Sequence, residues 1–413
     1  MSKVIIIGAG AAGIMAAVSA TLNGHTVSIY EKNDRIGRKL YITGKGRCNI
    51  TNAADMKTIM ENVVNNSKFL YSAFKQFDNQ DVVEMLENAG CPTKVERGNR
   101  VFPVSDKSSD VIKAFQKILS ELSVEVNLKA EVNSLIIEDS ICKGIKLDDK
   151  SIYADAVIVA TGGLSYPGTG STGDGYRFAK NSGHKVGKLY PSLVPFTLEE
   201  KEEIKQLQGL SLKNVAVEIY DGDKNIYKDF GEMLFTHFGI SGPTLISASS
   251  YAVERIIDDK KKLRIVIDLK PALDNEKLDA RLLRDFESAK NKQLKNVLPE
   301  LLPIKLIPEV LRQADLKEDI KICNITRKER LKLLYALKNL SYTIDGVRGF
   351  EEAIITKGGV DVSDINPKTM ESRLITSLYF VGEVLDIDAL TGGYNLQVAW
   401  STGYVAGGNI EYV

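Results

Sequence analysis

Val4–Ile7 is an unbroken run of β-branched residues that leads straight into Gly8-Ala9-Gly10-Ala11-Ala12-Gly13. Such a run suits a strand buried on both faces of a parallel sheet. Behind the glycines, Ile14–Leu22 is alanine-rich and apolar and ends at Asn23-Gly24, which predicts a helix and its C-cap region. Thr26–Tyr30 is a second strand, closed by Glu31, 23 residues beyond Gly8. Strand, glycine turn, helix and strand in this order predict a βαβ unit. In that setting the first glycine makes the tight turn. The second admits a pyrophosphate to the backbone, and the third lets helix and strand pack closely. The phosphates then face the positive end of a helix. A carboxylate at position 31 accepts hydrogen bonds from both hydroxyls of an adenosine ribose and repels a 2′-phosphate.

The uncharged stretch Val4–Leu22 follows Lys3 and has the look of a signal peptide or membrane helix. Its glycines interrupt the run, and no other stretch approaches 18 uninterrupted apolar residues. We therefore expect a cytoplasmic protein that does not enter a membrane. The chain has 413 residues, enough for two or three domains. Lys+Arg and Asp+Glu number 54 each, a balance that argues against a nucleic-acid binder as a whole but permits a local basic site. Cys48, Cys91, Cys142 and Cys323 form no C-x-x-C pair and lack a histidine cluster, so neither a zinc site nor a disulfide framework is expected.

Further along, Met56–Ala89 reads as helix with short breaks, Lys94–Val104 as a hairpin turning at Gly98-Asn99, and Ser108–Leu122 as helix. Ala156–Ala160 is another strand of the buried type. Near Tyr190 the style changes: Leu212–Tyr220 and Ile226–Phe230 predict an antiparallel hairpin, Leu263–Leu269 a strand, and Asn275–Leu340 a charged helical stretch. Glycine-rich, β-like sequence returns at Gly358. These shifts predict a discontinuous α/β architecture. Residues 1–190 and 355–413 form a Rossmann-like domain, and 191–354 an inserted substrate or cap domain, mainly β over 191–270 and 341–354 and helical over 271–340.

A flavin fits the later motifs better than a nicotinamide. Ala156–Gly163 (AVIVATGG) has the form of a strand ending in A-T-G under a nucleotide, contributing Ala160, Thr161 and Gly162. Ser377–Glu383 (SLYFVGE) has the form of a late motif ending in Gly382-Glu383, whose acid can take a ribityl hydroxyl. Leu390–Thr402 offers glycines and then a helix whose N-terminus can face the flavin pyrimidine and stabilise negative charge there. Gly168–Gly173 (GTGSTG) also fits the glycine pattern, but Pro167 precedes it and no strand leads into it, so we read it as a loop.

The blocks GRKLYITGKGRCNITN, ATGGLSYPGTGSTGDG, FTHFGISGP, TKGGVDVSDINPKTMES and FVGEVLDIDALTGGYNLQ together resemble, in order, the BaiN or aminoacetone oxidase-like family of FAD-binding flavoproteins. The resemblance implies FAD, a Rossmann-like domain of the glutathione and fumarate reductase type, and an inserted domain with a β-barrel. Activities proposed for relatives include reduction of a carbon–carbon double bond in steroid acids and oxidation of a small amino ketone. In the glycine turn and at the end of the second strand the candidate cofactor contacts are Gly8, Gly10, Ala11, Ala12, Gly13, Glu31 and Lys32. In the basic stretch, Arg38 and Lys39 would meet phosphate or ribityl oxygens, with Thr43 beside them. Gly44 and Gly46 would give clearance to the isoalloxazine, and Arg47, Cys48 and Asn49 would reach its edge. Val132, Asp386, Gly393, Tyr394, Asn395, Leu396 and Gln397 complete the set. Candidate catalytic groups are His237, Tyr394 and Arg47, the last as a cation near the flavin N5.

The expected function is an FAD-dependent oxidoreductase that moves hydride through flavin N5. NAD(P)H is the favoured transient co-substrate, and the acceptor a small organic molecule such as an enone or steroid acid. An oxygen-using oxidase of a small amine or amino ketone is the alternative within the class. A non-catalytic flavin-binding or RNA-associated module is the alternative outside it. No nucleic-acid partner and no metal are expected.

Overall fold

Lys3–Ile7 lies at the centre of a five-stranded parallel sheet, which is why Val4, Ile5 and Ile6 are wholly buried. Across the sheet the strands run Leu378–Phe380, Ala156–Val159, Lys3–Ile7, Thr26–Glu31 and Glu125–Leu128. Val4 sits opposite Ala156 on one side and Val27 on the other. In chain order this is the doubly wound arrangement, with the winding reversed between the first strand and Ala156–Val159. The computed structural model describes residues 1–148 and 150–411. Two units divide them: Met1–Ser192 with Phe350–Val413, and Leu193–Gly349.

In the first unit, the helix Ala11–Leu22 packs along the helix Tyr394–Gly408. Small residues on both make this approach possible. A Cβ on Gly403 would collide with the Ala12 backbone, and one on Gly407 would lie 2.7 Å from the Ala20 nitrogen. Trp400 anchors the other face of the second helix: it is fully buried, donates to the Ile50 carbonyl at 2.9 Å and stacks on Phe115. The stretch read as one broken helix resolves into Met56–Glu61, Tyr71–Gln76 and Asn79–Asn88. Asp55 and Asp78 cap the first and last, so each starts afresh. Two three-stranded antiparallel sheets flank the core. One joins Thr51–Asn52, Arg100–Pro103 and Thr93–Glu96; the other joins Ser134–Glu138, Ile141–Leu147 and Lys150–Tyr153.

The second unit is a closed six-stranded barrel with helices. Its strands run Phe196–Leu198, Gly239–Ser241, Lys224–Phe235, Ser211–Asp221, Leu263–Asp268 and Leu340–Val347, which closes on Phe196–Leu198. Alternate residues Val215, Val217 and Ile219 point into its apolar core, as a strand period of two requires. Pro243 opens the helix Pro243–Ile257 in its first turn, a position that lacks an intrahelical N–H partner anyway. The charged helical stretch is three helices, Asn275–Glu287, Ile307–Gln313 and Arg327–Lys338, separated by short 3₁₀ turns, one carrying Pro299 and another preceded by Pro303. Among the described residues no helix is long and apolar enough to cross a membrane.

Candidate functional site: a dinucleotide cleft at the strand switch

The sheet's winding reverses between two strands whose following loops must part, and a cleft opens there. Ile7–Ala12 and Ala160–Gly162 form its floor; it holds about 1330 Å³ of empty space with its open mouth counted. The walls come from Tyr30–Asn33, Arg38–Leu40, Thr43, Ala130–Val132, Thr169–Ser171, Ile354–Ile355 and the start of the last helix, Asn395 and Leu396. All of these belong to the first unit.

Three glycines shape the floor, each differently. Gly8 has φ +103°, and a Cβ there would lie 2.6 Å from the Ala160 carbonyl oxygen. Only glycine satisfies both the left-handed backbone and the close crossing to the neighbouring strand. A Cβ on Gly13 would overlap the Gly8 carbonyl oxygen and stand 3.1 Å from its carbon. A Cβ on Gly10 would meet nothing within 4 Å and would project into the cleft. The helix behind begins with no side-chain cap and no acid in its first turn, so its N–H groups and positive end face the cleft uncompensated. A pyrophosphate fits this cradle. Lys32, Arg38 and Lys39 add cations to the walls.

Glu31 ends the second strand, 8% exposed. Its Oε2 accepts from the Ala9 N–H at 2.8 Å, and its Oε1 accepts from the Asn33 N–H and amide at 2.9 and 2.6 Å. A carboxylate has about four acceptor positions, so one remains on Oε2 for a ribose hydroxyl. Asn33 in turn accepts from Arg38 at 2.8 Å and donates to the Thr169 carbonyl. Lys32 pairs with Asp174 at 2.6 Å. Burial raises the Asp174 pKa, but the bond and charge of Lys32, with Arg177 and Thr172, hold it below the usual carboxylate range. Elsewhere on the wall, Lys39 Nζ reaches Glu383 Oε2 and Ser165 Oγ, both at 2.5 Å. Ser165 and the Thr356 N–H converge on Glu383 Oε1 at 2.7 and 2.9 Å. Glu383 is thus held by three groups and aligned beside Lys39.

Of the residues singled out from sequence, Gly8, Gly10, Ala11, Ala12, Glu31, Lys32, Arg38, Lys39, Thr43, Val132, Ala160, Thr161, Gly162, Glu383, Asn395 and Leu396 line the cleft. Gly13 lies behind its floor. The second half of the basic stretch, Gly44, Gly46, Arg47, Cys48 and Asn49, expected along a flavin edge, is not among the residues that line the cleft. Gly44 (φ +62°) and Gly46 (φ +84°) serve a left-handed turn rather than clearance. Arg47 turns away to Glu96 and Asp106 and lies 4.1 Å from the Phe102 ring centre; its bonds to the two carboxylates, Glu96 first, raise its pKa further. Two acids on the neighbouring hairpin and turn outcompete the cleft for this cation. Cys48 is fully buried, and burial pushes its thiol far above the usual range. Asn49 accepts from the Gly393 N–H at 2.9 Å and donates to the Thr51 and Val101 carbonyls.

The last block holds further expected contacts that lie outside the lining. Gly382 turns with φ +72° against Ala12, and Gly393 with φ +99° against Thr51. Gln397 is buried between Thr51 Oγ1 and Ser401 Oγ, at 2.6 and 2.9 Å. Asp386 accepts from Asn65 at 2.9 Å, and burial raises its pKa. Tyr394 is 7% exposed, and burial raises its pKa, so the phenol stays protonated near neutrality. None of these five lines the cleft; they hold the helix that does. His237 belongs to the second unit, between the strands Lys224–Phe235 and Gly239–Ser241, edge-on to Phe238 at 4.9 Å.

The sequence reading missed Asn33 and the loop Thr169–Asp174, of which Thr169, Gly170, Ser171 and Asp174 line the cleft, as well as Ser165, which bonds to the lining residues Lys39 and Glu383. The loop was discounted because no strand feeds it. The structure brings it over the cleft by packing Gly170 (φ +101°) against the Asn33 amide. Among the described residues, no group of three His, Cys, Asp or Glu side chains is placed to hold a metal.

A sheet wound about one such cleft, with a barrel in the second unit, is the architecture of the flavoprotein oxidoreductases, and this chain is an oxidoreductase of that type. Within that class it belongs to the family described as the HI0933-like protein Rossmann domain, which matches residues 2–409. It is 30% identical over 411 residues to a 3-dehydro-bile acid delta(4,6)-reductase of Clostridium scindens, covering 98% of both chains. It is 32% identical over 407 residues to a ribosomal RNA dihydrouridine synthase of Haemophilus influenzae, covering 98% of this chain and 97% of that one. The crystal structure of 3-ketosteroid delta1-dehydrogenase from Sterolibacterium denitrificans shares the fold, with a TM-score of 0.55 at 14% identity and 98% coverage of each chain.

Proposed function

We propose that this protein is an FAD-dependent reductase that saturates a carbon–carbon double bond conjugated to a carbonyl, with NAD(P)H as electron source. One observation carries this reading. Two relatives matched over nearly the whole chain act on unlike molecules, a bile acid derivative and RNA. Their chemistry has one bond type in common. A 3-oxo steroid with unsaturation at position 4, and the uracil ring that becomes dihydrouracil, each carry an alkene polarised by a carbonyl. In the reaction proposed for this chain NAD(P)H and a proton are consumed, the alkene gains two hydrogens and NAD(P)⁺ is released.

When bound, FAD supplies the two-electron redox chemistry. This chain's residues do the rest. The Gly8–Gly13 turn and the helix behind it take the pyrophosphate, Glu31 takes a ribose hydroxyl, and Arg38 with Lys39 supply positive charge along the wall. Lys39, held by Glu383 and Ser165, is a fixed hydrogen-bond donor on the wall whose charge is balanced by Glu383.

Anaerobic stopped-flow mixing tests the proposal. The purified protein should be yellow, and NADH or NADPH should bleach it. Adding 2-cyclohexenone should restore the colour with stoichiometric loss of the alkene. Reoxidation by oxygen alone, with no turnover of any conjugated alkene, would overturn the proposal in favour of an oxidase.

A further inference from the structure

The chain is neutral overall, yet one surface of the first unit is strongly basic. The loop Tyr41–Arg47 and the hairpin region Thr93–Lys107 are held together by the Ser108 N–H on the Gly46 carbonyl at 2.9 Å, the Ser108 hydroxyl on the Tyr41 carbonyl at 2.6 Å, and Arg47 on Asp106. Between them these segments carry six cations and two acids, a surplus of four. Both acids are already occupied, since Glu96 and Asp106 are shared by Arg47 and Lys94. That leaves Lys45, Arg97, Arg100 and Lys107, all exposed and with no ion pair among the described residues. Tyr41 lies 47% exposed beside them, with the Arg35 guanidinium 5.6 Å from its ring centre.

This surface borders the cleft. The loop continues from Lys39 and Thr43, which line it. At the hairpin tip, Asn52 donates both to the Gly98 carbonyl and to the Gly392 carbonyl, each at 3.0 Å. The tip is thereby tied to the turn that begins the helix bearing Asn395 and Leu396.

We propose that the loop 41–47 and the hairpin 93–107 form a docking surface for single-stranded RNA, with Lys45, Arg97, Arg100 and Lys107 on phosphates and Tyr41 as a stacking platform for a base. This assignment rests on the conjugated-alkene reduction proposed above and names the carrier of the alkene, a pyrimidine base within RNA. It revises the expectation of no nucleic-acid partner, which rested on net charge and on the basic loop taken alone. A small carboxylated substrate presents one or two negative charges, too few to engage four separate cations. A phosphodiester chain presents one per nucleotide, and exposed aromatic rings beside basic side chains are how single strands are held without sequence readout.

The test uses the FAD-loaded full-length protein and a fluorescein-labelled 20-mer oligouridylate, with anisotropy measured against salt. Four phosphate contacts at a slope of about −0.7 each predict a total slope near −3, so affinity should fall roughly 50-fold between 50 and 200 mM salt. Arg97→Gln with Arg100→Gln should halve the slope and weaken binding about tenfold at 100 mM. Lys45→Gln with Lys107→Gln should do the same, and Lys328→Gln, on the second unit, should do neither. Turnover of 2-cyclohexenone by all three variants should match wild type, which confirms that they fold. Salt-insensitive or absent RNA binding, or equal binding by wild type and both double variants, would overturn the docking surface. RNA binding lost in the double variants with no alkene turnover by wild type would instead retain the surface and refute the reaction.

Discussion

Gly10 and Gly13 are one turn apart in the same motif, and substituting each by alanine separates cofactor binding from folding. At Gly13 the new methyl overlaps the Gly8 carbonyl oxygen and stands 3.2 Å from Ala160 Cβ. The obstacle is backbone, so no rotamer change relieves it. The helix must move off the strand, at a cost of about 3 kcal/mol, the upper end of overpacking penalties. At Gly10 the backbone is extended, with φ −84° and ψ −171°, which alanine adopts without strain, and the methyl meets no protein atom. Gly10 is the N-cap of this helix, where alanine is disfavoured, and that offsets the gain from lower chain entropy in the unfolded state, so Gly10→Ala should stay within about 1 kcal/mol of wild type. The same methyl occupies the space through which a pyrophosphate approaches, so FAD affinity should fall by about 1–3 kcal/mol, roughly 5- to 150-fold in Kd. Urea melts of the cofactor-free variants give the first quantity, and titration with FAD followed by quenching of its fluorescence gives the second. Wild-type FAD affinity in Gly10→Ala, or a wild-type melt in Gly13→Ala, would refute this division of labour.

Glu31→Gln removes the charge behind the Ala9 N–H bond and the free acceptor position, and should weaken FAD binding by about tenfold, within the usual worth of charged hydrogen bonds; isothermal titration checks it. Of the four cysteines only Cys323 is exposed, so Ellman's reagent should titrate one thiol per native chain and four after denaturation. Burial pushes the Cys142 thiol from 9.0 to about 11. Because the folded state holds that proton more tightly, its contribution is complete below pH 9, declines as pH rises from about 9 to 11, and amounts to roughly 3 kcal/mol. Denaturant melts of wild type minus Cys142→Ala should show that decline, and a flat difference would contradict it. Arg47→Ala should cost no more than about 1 kcal/mol, since its ion pairs are partly exposed, while hydrogen exchange of amides 43–48 accelerates as the loop loses its tether to Glu96 and Asp106.

The places where the sequence reading and the cleft lining coincide, and those where they differ, have a common cause. Residues placed by the first βαβ unit (Gly8, Gly10, Ala12, Glu31) were located from local rules, because turn, helix and strand are contiguous and the motif's spacing is their geometry. Ala160–Gly162 and Glu383 were located from strand ends for the same reason. Arg47, Cys48 and Asn49 fall outside the lining because charge and glycine content report that a loop is unusual, and say nothing of its direction. Glu96 and Asp106, some fifty residues later, decide that direction. Asn33, Ser165 and the Thr169–Asp174 loop were missed because their partners (Arg38, Glu383, Lys32) are distant in the chain or lack a motif.

Periodicity and the glycine spacing alone determined the sheet's first crossover, the uncapped helix end and the carboxylate at position 31, since each follows from contacts within about thirty residues. Three things came only from the tertiary structure. Lys39 and Glu383, 344 positions apart, share a wall of the cleft. The last helix meets the first through Gly403 and Gly407. The hairpin 93–107 joins the basic loop to make one charged surface. Each depends on which chain segments fold back on one another, and an isolated charge or glycine carries no record of the neighbour it will meet.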